Sequence, residues 1–306
     1  MTELENHKEI DALVSLMDEP NETTFAEIQR TVMMFGKSAI PFLEEAWLHT
    51  FKSEHSKRLE NTIEEIKFNH ASALMLEWLQ NDQRIPTDIM HILAEYIDDH
   101  YNRLDQQKWI DNLIRDCWLE LNDNLTALEE IKVVNHVLYT VYGLNNYLPG
   151  RNRVDGFFPD SFHHRKTGNA ISLGFIYLMI GQKLNIALSG INLPNQFVLG
   201  YLERHARKKF LLGQPPKQQD VLFYVNPSHN GAIFTQKEIT AYGAHLGMKM
   251  HDDYYLPCSL KTMTVRFLNE LQQSLIEENR NIKGKNILKF VQLLEETPAQ
   301  LGQMIS

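Results

Sequence analysis

Lys166-Thr167-Gly168-Asn169-Ala170-Ile171-Ser172-Leu173-Gly174-Phe175-Ile176-Tyr177-Leu178-Met179-Ile180 is the stretch on which the fold turns. A helix starts abruptly at Gly168-Asn169, and Ile171, Leu173, Phe175, Ile176, Tyr177, Met179 and Ile180 make it apolar on nearly every side. Such a helix belongs at the centre of a core, not on a surface. Downstream, Ile186 to Leu193, Phe197 to Tyr201 and Val221 to Val225 read as short strands, the last after a polar break that contains Pro215-Pro216. A buried helix followed by antiparallel strands makes an α+β core.

Upstream the texture is helical. Residues 145 to 167, rich in Asn, Gly, Pro and aromatics, read as an irregular ordered segment. Before it a helix starts near Asn124, carries Leu128, Ile131, Val134, Leu138 and Val141 on one face and ends at Gly143. Ile10, Leu13, Val14 and Met17, then Phe25, Ile28, Val32 and Phe35, repeat at helical spacing. Further helices are expected over His55–Phe68, Ala71–Leu79, Thr87–Tyr101 with Thr87 as N-cap, and Gln106–Leu121. Phe35-Gly36-Lys37-Ser38-Ala39-Ile40-Pro41-Phe42-Leu43 resembles the turn inside a HEAT-like repeat, with Pro41 tolerated in a first turn. Toward the other end Thr235-Gln236-Lys237-Glu238 fits a capping box for a helix to His245. Cys258–Glu278 and Gly284–Glu296 read as a closing pair of amphipathic helices. The expected architecture is α+β and predominantly helical: a helical HEAT-like region over 1–122, a core with a small antiparallel sheet over 123–256, and a C-terminal helical hairpin over 257–306.

Composition limits the function. Across 306 residues, 43% hydrophobic and 23% charged, no apolar run approaches the roughly 18 residues of a membrane span, and the first 20 residues lack a basic start followed by an apolar stretch. A cytoplasmic protein is the expectation. Two cysteines, Cys117 and Cys258, build neither a disulfide framework nor a four-thiolate zinc site. A net charge of −9 argues against a broad phosphate-binding face.

An ordered series of motifs identifies a relationship. Gly168-Asn169-Ala170-Ile171-Ser172-Leu173 resembles the Gly-Asn-Cys-x-Ser-Leu helix start of the SirB-type transglutaminase-like proteins. Gly190-Ile191-Asn192-Leu193-Pro194-Asn195-Gln196-Phe197 is similar to their Gly-Val-Asn-x-Pro-x-His-Phe strand, and Val225-Asn226-Pro227 to their Ile-Asp-Pro segment. Asn135-His136-Val137-Leu138, Tyr142-Gly143-Leu144, Pro257-Cys258-Ser259 and Arg266-Phe267-Leu268-Asn269-Glu270-Leu271 extend the likeness over approximately residues 85 to 300. The resemblance implies a papain- or transglutaminase-type layout, with a nucleophile at the helix N-terminus and histidine and carboxylate on successive strands. There the helix dipole stabilises a thiolate, while an imidazole steered by a carboxylate carries its proton. Carried across position by position, the cysteine falls on Ala170, the histidine on Gln196 and the aspartate on Asn226. A methyl group cannot attack, a carboxamide cannot shuttle protons near neutrality, and asparagine brings no charge to an imidazolium. Asn169, Ser172, Asn195 and Cys258 remain as candidate cleft residues.

The other chemical groups each have a plainer reading. Cys258 sits near a helix start, where a thiol can be activated, and its position also suits packing. Ser172, without an identifiable base, is expected to bond the backbone one turn earlier. His163-His164 are adjacent, and neighbouring helical residues point about 100° apart, so no metal site and no cofactor are expected. Arg204, His205, Arg207, Lys208 and Lys209 concentrate positive charge in an acidic chain. They read as a solvated loop, with Arg204, Arg207, Lys208 and Lys209 a candidate patch for an acidic protein partner. An acidic partner segment or an RNA contact is the sharper option for this patch, and no ordered aromatic and glycine pattern of a nucleic-acid module accompanies it. Met33-Met34 and Phe157-Phe158 fit either a partner surface or core packing. The function expected is that of a catalytically degenerate transglutaminase-like protein that binds or scaffolds an unknown protein partner. The alternative is an active amide hydrolase or acyl transferase with a rebuilt cysteine or serine centre.

Overall fold

Helical spacing of Ile10, Val14 and Met17, repeated by Phe25 and Val32, buries one stripe on each of two consecutive segments, and those stripes make the first core. The structure, a computed structural model, describes residues 3–81, 84–147, 153–191, 193–194 and 196–297. It divides into two compact units, Met1–Leu79 and Gln80–Ser306. In the first, α1 (Glu3–Ser15), α2 (Glu22–Met34) and α3 (Ile40–His49) pack with α4 (Ser53–Gln80) around Ile10, Val14, Met17, Phe25, Val32, Ala39, Leu43, Leu59 and Ile66. Asn21 caps α2 by accepting from the backbone of Thr23 and Thr24, which satisfies two donors a helix start leaves open. Gly36, at φ 55°, makes the turn before Pro41 enters α3. Met33 packs on this core, whereas Met34 is exposed. One long helix replaces the two expected over His55–Phe68 and Ala71–Leu79, because no glycine or proline interrupts Asn69-His70-Ala71.

The second unit is built around the apolar helix quoted above. It opens with α5 (Pro86–Ile97), in which Pro86, not Thr87, takes the first helical position and Ile85 stands at the cap. Next come α6 (Arg103–Glu120), capped by Asn102, and α7 (Ala127–Asn135), started by a capping box of Thr126 and Glu129. A π-helical turn, His136–Val141, continues α7. That wider turn rotates the apolar face, so Ile131, Val134 and Leu138 are buried while Val141 is exposed. Leu128 is exposed as well, and Glu130 takes a buried place instead. A short parallel pair, β1 (Asn145–Asn146) with β2 (Thr167–Gly168), brackets the irregular segment, in which Phe157 and Phe158 are core residues.

Behind β2 runs α8 (Ala170–Lys183), buried without a break from Ile171 to Gly181. It packs on α5, α6 and β3 (Leu188–Ile191). At about 1.5 to 3 kcal/mol for each large side chain withdrawn from water, this helix is the chief apolar asset of the unit. The sheet is antiparallel in the order β3, β4 (Val198–Leu202), β5 (Val221–Asn226) and β6 (Ala232–Phe234). Its last strand was not anticipated, because three residues are too few for a period to register. Between β4 and β5, Arg204–Leu211 forms helix α9 where a solvated loop was expected, with Glu203 accepting from the backbone of Ala206. The Thr235–Glu238 box starts α10 (Gln236–His245) as expected. The closing pair is α11 (Leu260–Glu277), capped by Ser259, and α12 (Asn281–Glu296). The fold is therefore α+β and predominantly helical. Among the described residues no helix is long and apolar enough to cross a membrane.

Candidate functional site

Antiparallel pairing fixes which ends of the strands meet. Leu199 pairs with Val225, so the start of β4 lies beside the end of β5. Gln196, just ahead of β4, and Asn226, the last residue of β5, therefore come together. Asn226 Nδ2 donates to Gln196 Oε1 at 3.2 Å. The Asn226 Oδ1 accepts from the backbone of Ser228 at 2.9 Å, so both ends of this buried amide are used. The helix approaches the same place. A Cβ on Gly174 would fall 1.8 Å from the Phe197 ring, so only glycine lets α8 lie this close to the residue that follows Gln196. Ala170 stands one turn earlier on the same face as Gly174, at the first position of α8.

The turn after Asn226 is tied down by a chain of polar contacts that sequence reading did not single out as a site. Tyr139 OH donates to the Pro227 carbonyl at 2.9 Å, and Tyr177 OH donates to Asn135 Oδ1 at 2.6 Å. Asn135 Nδ2 in turn donates to the Gly231 carbonyl at 2.8 Å. Burial raises the Tyr139 and Tyr177 hydroxyls far above their ordinary range, so both stay protonated. The signal available beforehand was the likeness of Asn135-His136-Val137-Leu138 to a family helix, which carries no chemistry by itself.

The remaining candidates are dispersed. Asn169 is wholly buried at the N-cap of α8. Its backbone donates to the Gly156 carbonyl and its Nδ2 to the Arg153 carbonyl. Ser172 donates to the Phe157 carbonyl at 3.2 Å, not to the backbone one turn earlier, because the turn Val154–Phe157 lies against this end of α8. Asn195 lies outside the described residues. Cys258 is held against the sheet edge: its Sγ faces the Gly190 carbonyl at 3.4 Å and Met263 Sδ at 2.9 Å. Burial pushes this thiol up to about 12, the opposite of what activates a nucleophile. Cys117 is buried in α6 and likewise pushed up to about 12.

His163 and His164 lie on a π-helical turn, Ser161–Arg165, and their rings stack 4.2 Å apart instead of splaying. With Asp105 they bring three donor atoms within 4.8 Å of one another. Imidazole lone pairs lie in the ring plane, so stacked rings send them side by side and not toward one ion. His163 Nδ1 already faces Gln106 Oε1 at 3.2 Å, and His164 Nε2 faces Asp160 at 3.3 Å. The basic cluster is divided by α9. Arg204 pairs with buried Glu130, which also accepts from Tyr201. Arg207 turns inward, and Lys208 and Lys209 project into solvent.

A family model described as the Transglutaminase-like superfamily matches residues 105–269, from the first turn of α6 into α11. The chain belongs to the transglutaminase-like superfamily. The match spans more than half of the sequence and takes in α8, the sheet and all three positions Ala170, Gln196 and Asn226. Neither curated proteins nor solved structures give a match. Within this transglutaminase-like domain the strand start and strand end meet at Gln196 and Asn226, and Ala170 lies one turn before the point where α8 touches Phe197. At these places the domain holds a methyl group and two neutral amides.

Proposed function

We propose that this protein is a catalytically degenerate member of the superfamily, of the SirB-type branch, which acts in the cytoplasm by binding or scaffolding a protein partner. The observation that carries the reading is the hydrogen bond from Asn226 Nδ2 to Gln196 Oε1. It occupies the place where a working centre needs an imidazole held by a carboxylate, and neither amide titrates near neutrality. Such a pair keeps the cleft polar and ordered without giving it a base. Ala170 leaves the helix start without a nucleophile. The four helices of residues 3–80, in the HEAT-like reading, offer a surface of the sort stacked helix pairs present to proteins.

The rival reading, a rebuilt hydrolase or acyl transferase, has to use Cys258 or Ser172. Against the first stands a thiol displaced upward to about 12, with no histidine among its hydrogen-bond partners. Against the second stands a hydroxyl that is wholly buried and spent on a backbone carbonyl. The test is turnover of peptide amides and simple esters by the purified chain. No product above the buffer rate is expected. Product formation that is lost in Cys258→Ser or Ser172→Ala would replace this proposal with the enzymatic one.

A further inference from the structure

A cavity of about 590 Å³ lies among Pro86 of α5, α8, β3, α9 and the start of α11. None of Ala170, Gln196 or Asn226 lines it. Its walls are mainly apolar, with Leu178, Leu188, Phe210 and Met263 among them, and its size falls in the range of small-molecule sites, roughly 300 to 1,000 Å³. Two guanidinium groups stand in this mainly apolar lining: Arg84, which already has an interaction partner, and Arg207. The guanidinium of Arg207 is half-buried there, donating through Nε to the Leu188 carbonyl at 3.3 Å. Among the described residues no carboxylate pairs with it, and burial lowers its pKa. A cation taken partly out of water without a counter-charge is costly, and its Nη groups have no acceptor among the described residues. The first turn of α11, with Ser259 and Leu260 in the lining, adds the positive end of a helix dipole.

We propose that this cavity binds a small molecule with an apolar body and a single carboxylate, the carboxylate being held by Arg207. A planar guanidinium matches a carboxylate through two parallel N–H bonds. Because Arg84 already has an interaction partner, the charge left to balance is that of Arg207, and within walls that are mostly hydrocarbon a monoanion matches it better than a phosphate dianion. The apolar remainder of the ligand gains what Leu178, Leu188, Phe210 and Met263 offer. This inference stands whether or not the Ala170 centre is inert, since Ala170, Gln196 and Asn226 lie outside the cavity, although Cys258 of the rival reading is in its lining.

Decanoate, decanol and inorganic phosphate serve as probes, titrated calorimetrically into the full chain below the aggregation limit of decanoate. Decanoate is expected to bind at one site, with decanol and phosphate each weaker by about tenfold or more, the worth of one charge-assisted hydrogen bond. Arg207→Gln is expected to weaken decanoate by about tenfold and to leave decanol unchanged. Leu211→Asp, at a lining position that is 66% exposed and therefore tolerant of a charge, is expected to weaken decanoate by repulsion and decides the matter should Arg207→Gln fail to fold. No decanoate binding, equal affinity for decanol or for phosphate, or decanoate affinity indifferent to both substitutions would overturn the proposal.

Discussion

At Gln196 and Asn226 two carboxamides do what an ionic pair does elsewhere: they satisfy each other in a partly buried place. Gln196→Leu removes the acceptor and leaves the Asn226 amide donor without a partner, so a loss of about 1 to 3 kcal/mol in folding stability is expected, read from urea unfolding midpoints. An unchanged midpoint would mean the bond is idle. His91 gives a second prediction at this scale. It is wholly buried, with its Nδ1 beside the Tyr101 hydroxyl, and burial lowers its pKa from 6.5 to about 4. The unfolded chain therefore takes up this proton first as pH falls. Stability is complete above pH 6.5 and is lost down to about pH 4, by about 3 kcal/mol in all. His91→Gln should flatten the fall in stability across that window, and an identical fall in both chains would contradict the assignment. For the thiols the sign is reversed: Cys117 and Cys258 are raised from 9.0 to about 12, so their contribution holds below pH 9 and drains away above it. The residues Ala170, Gln196 and Asn226 were readable from single letters. The Asn226–Gln196 bond was not, since a contact between residues 30 apart depends on strand register.

The elements differ in how far sequence dictated them. Helix α8 was legible because its apolar run has no competing interpretation, and α10 because Thr235 and Glu238 make a reciprocal cap. The π-helical turn His136–Val141 was not, because an inserted residue of helical phase leaves no mark on composition. Helix α9 hid behind its charges: Arg-His-Ala-Arg-Lys-Lys reads as solvated whether coiled or helical, and Ala206, its one buried residue, is too small to announce a face. The tight approach of α8 to β4 yields the prediction at this scale. Gly174→Ala places a methyl group where Phe197 lies, in a helix with no room to retreat. Overpacking of that kind costs about 1 to 3 kcal/mol, although alanine alone would favour the helix. Thermal unfolding should show a lower midpoint; a higher one would mean that α8 and Phe197 are not in contact.

For the whole molecule, the two compact units fall on either side of Leu79 and Gln80, not at residue 122 as the run of helices suggests. Helix-rich sequence gives no boundary of its own: α5 and α6 look like their predecessors, and only packing, with α8 against both, assigns them to the larger unit. A fragment of residues 80–306 is accordingly expected to unfold in one cooperative transition in urea, followed by circular dichroism. A fragment beginning at 123 loses α5 and α6 and should fail to do so. Cooperative folding of the shorter fragment would reject this division.

The most direct measurement of the central claim, that the transglutaminase-like frame holds no working nucleophile, is the intact mass of the purified native chain after incubation with p-nitrophenyl acetate at neutral pH, with peptide mapping of any adduct. The account predicts no acylation at Cys258 or Ser172. Stoichiometric transfer of one acetyl group to either residue, followed by its release to water, would contradict it.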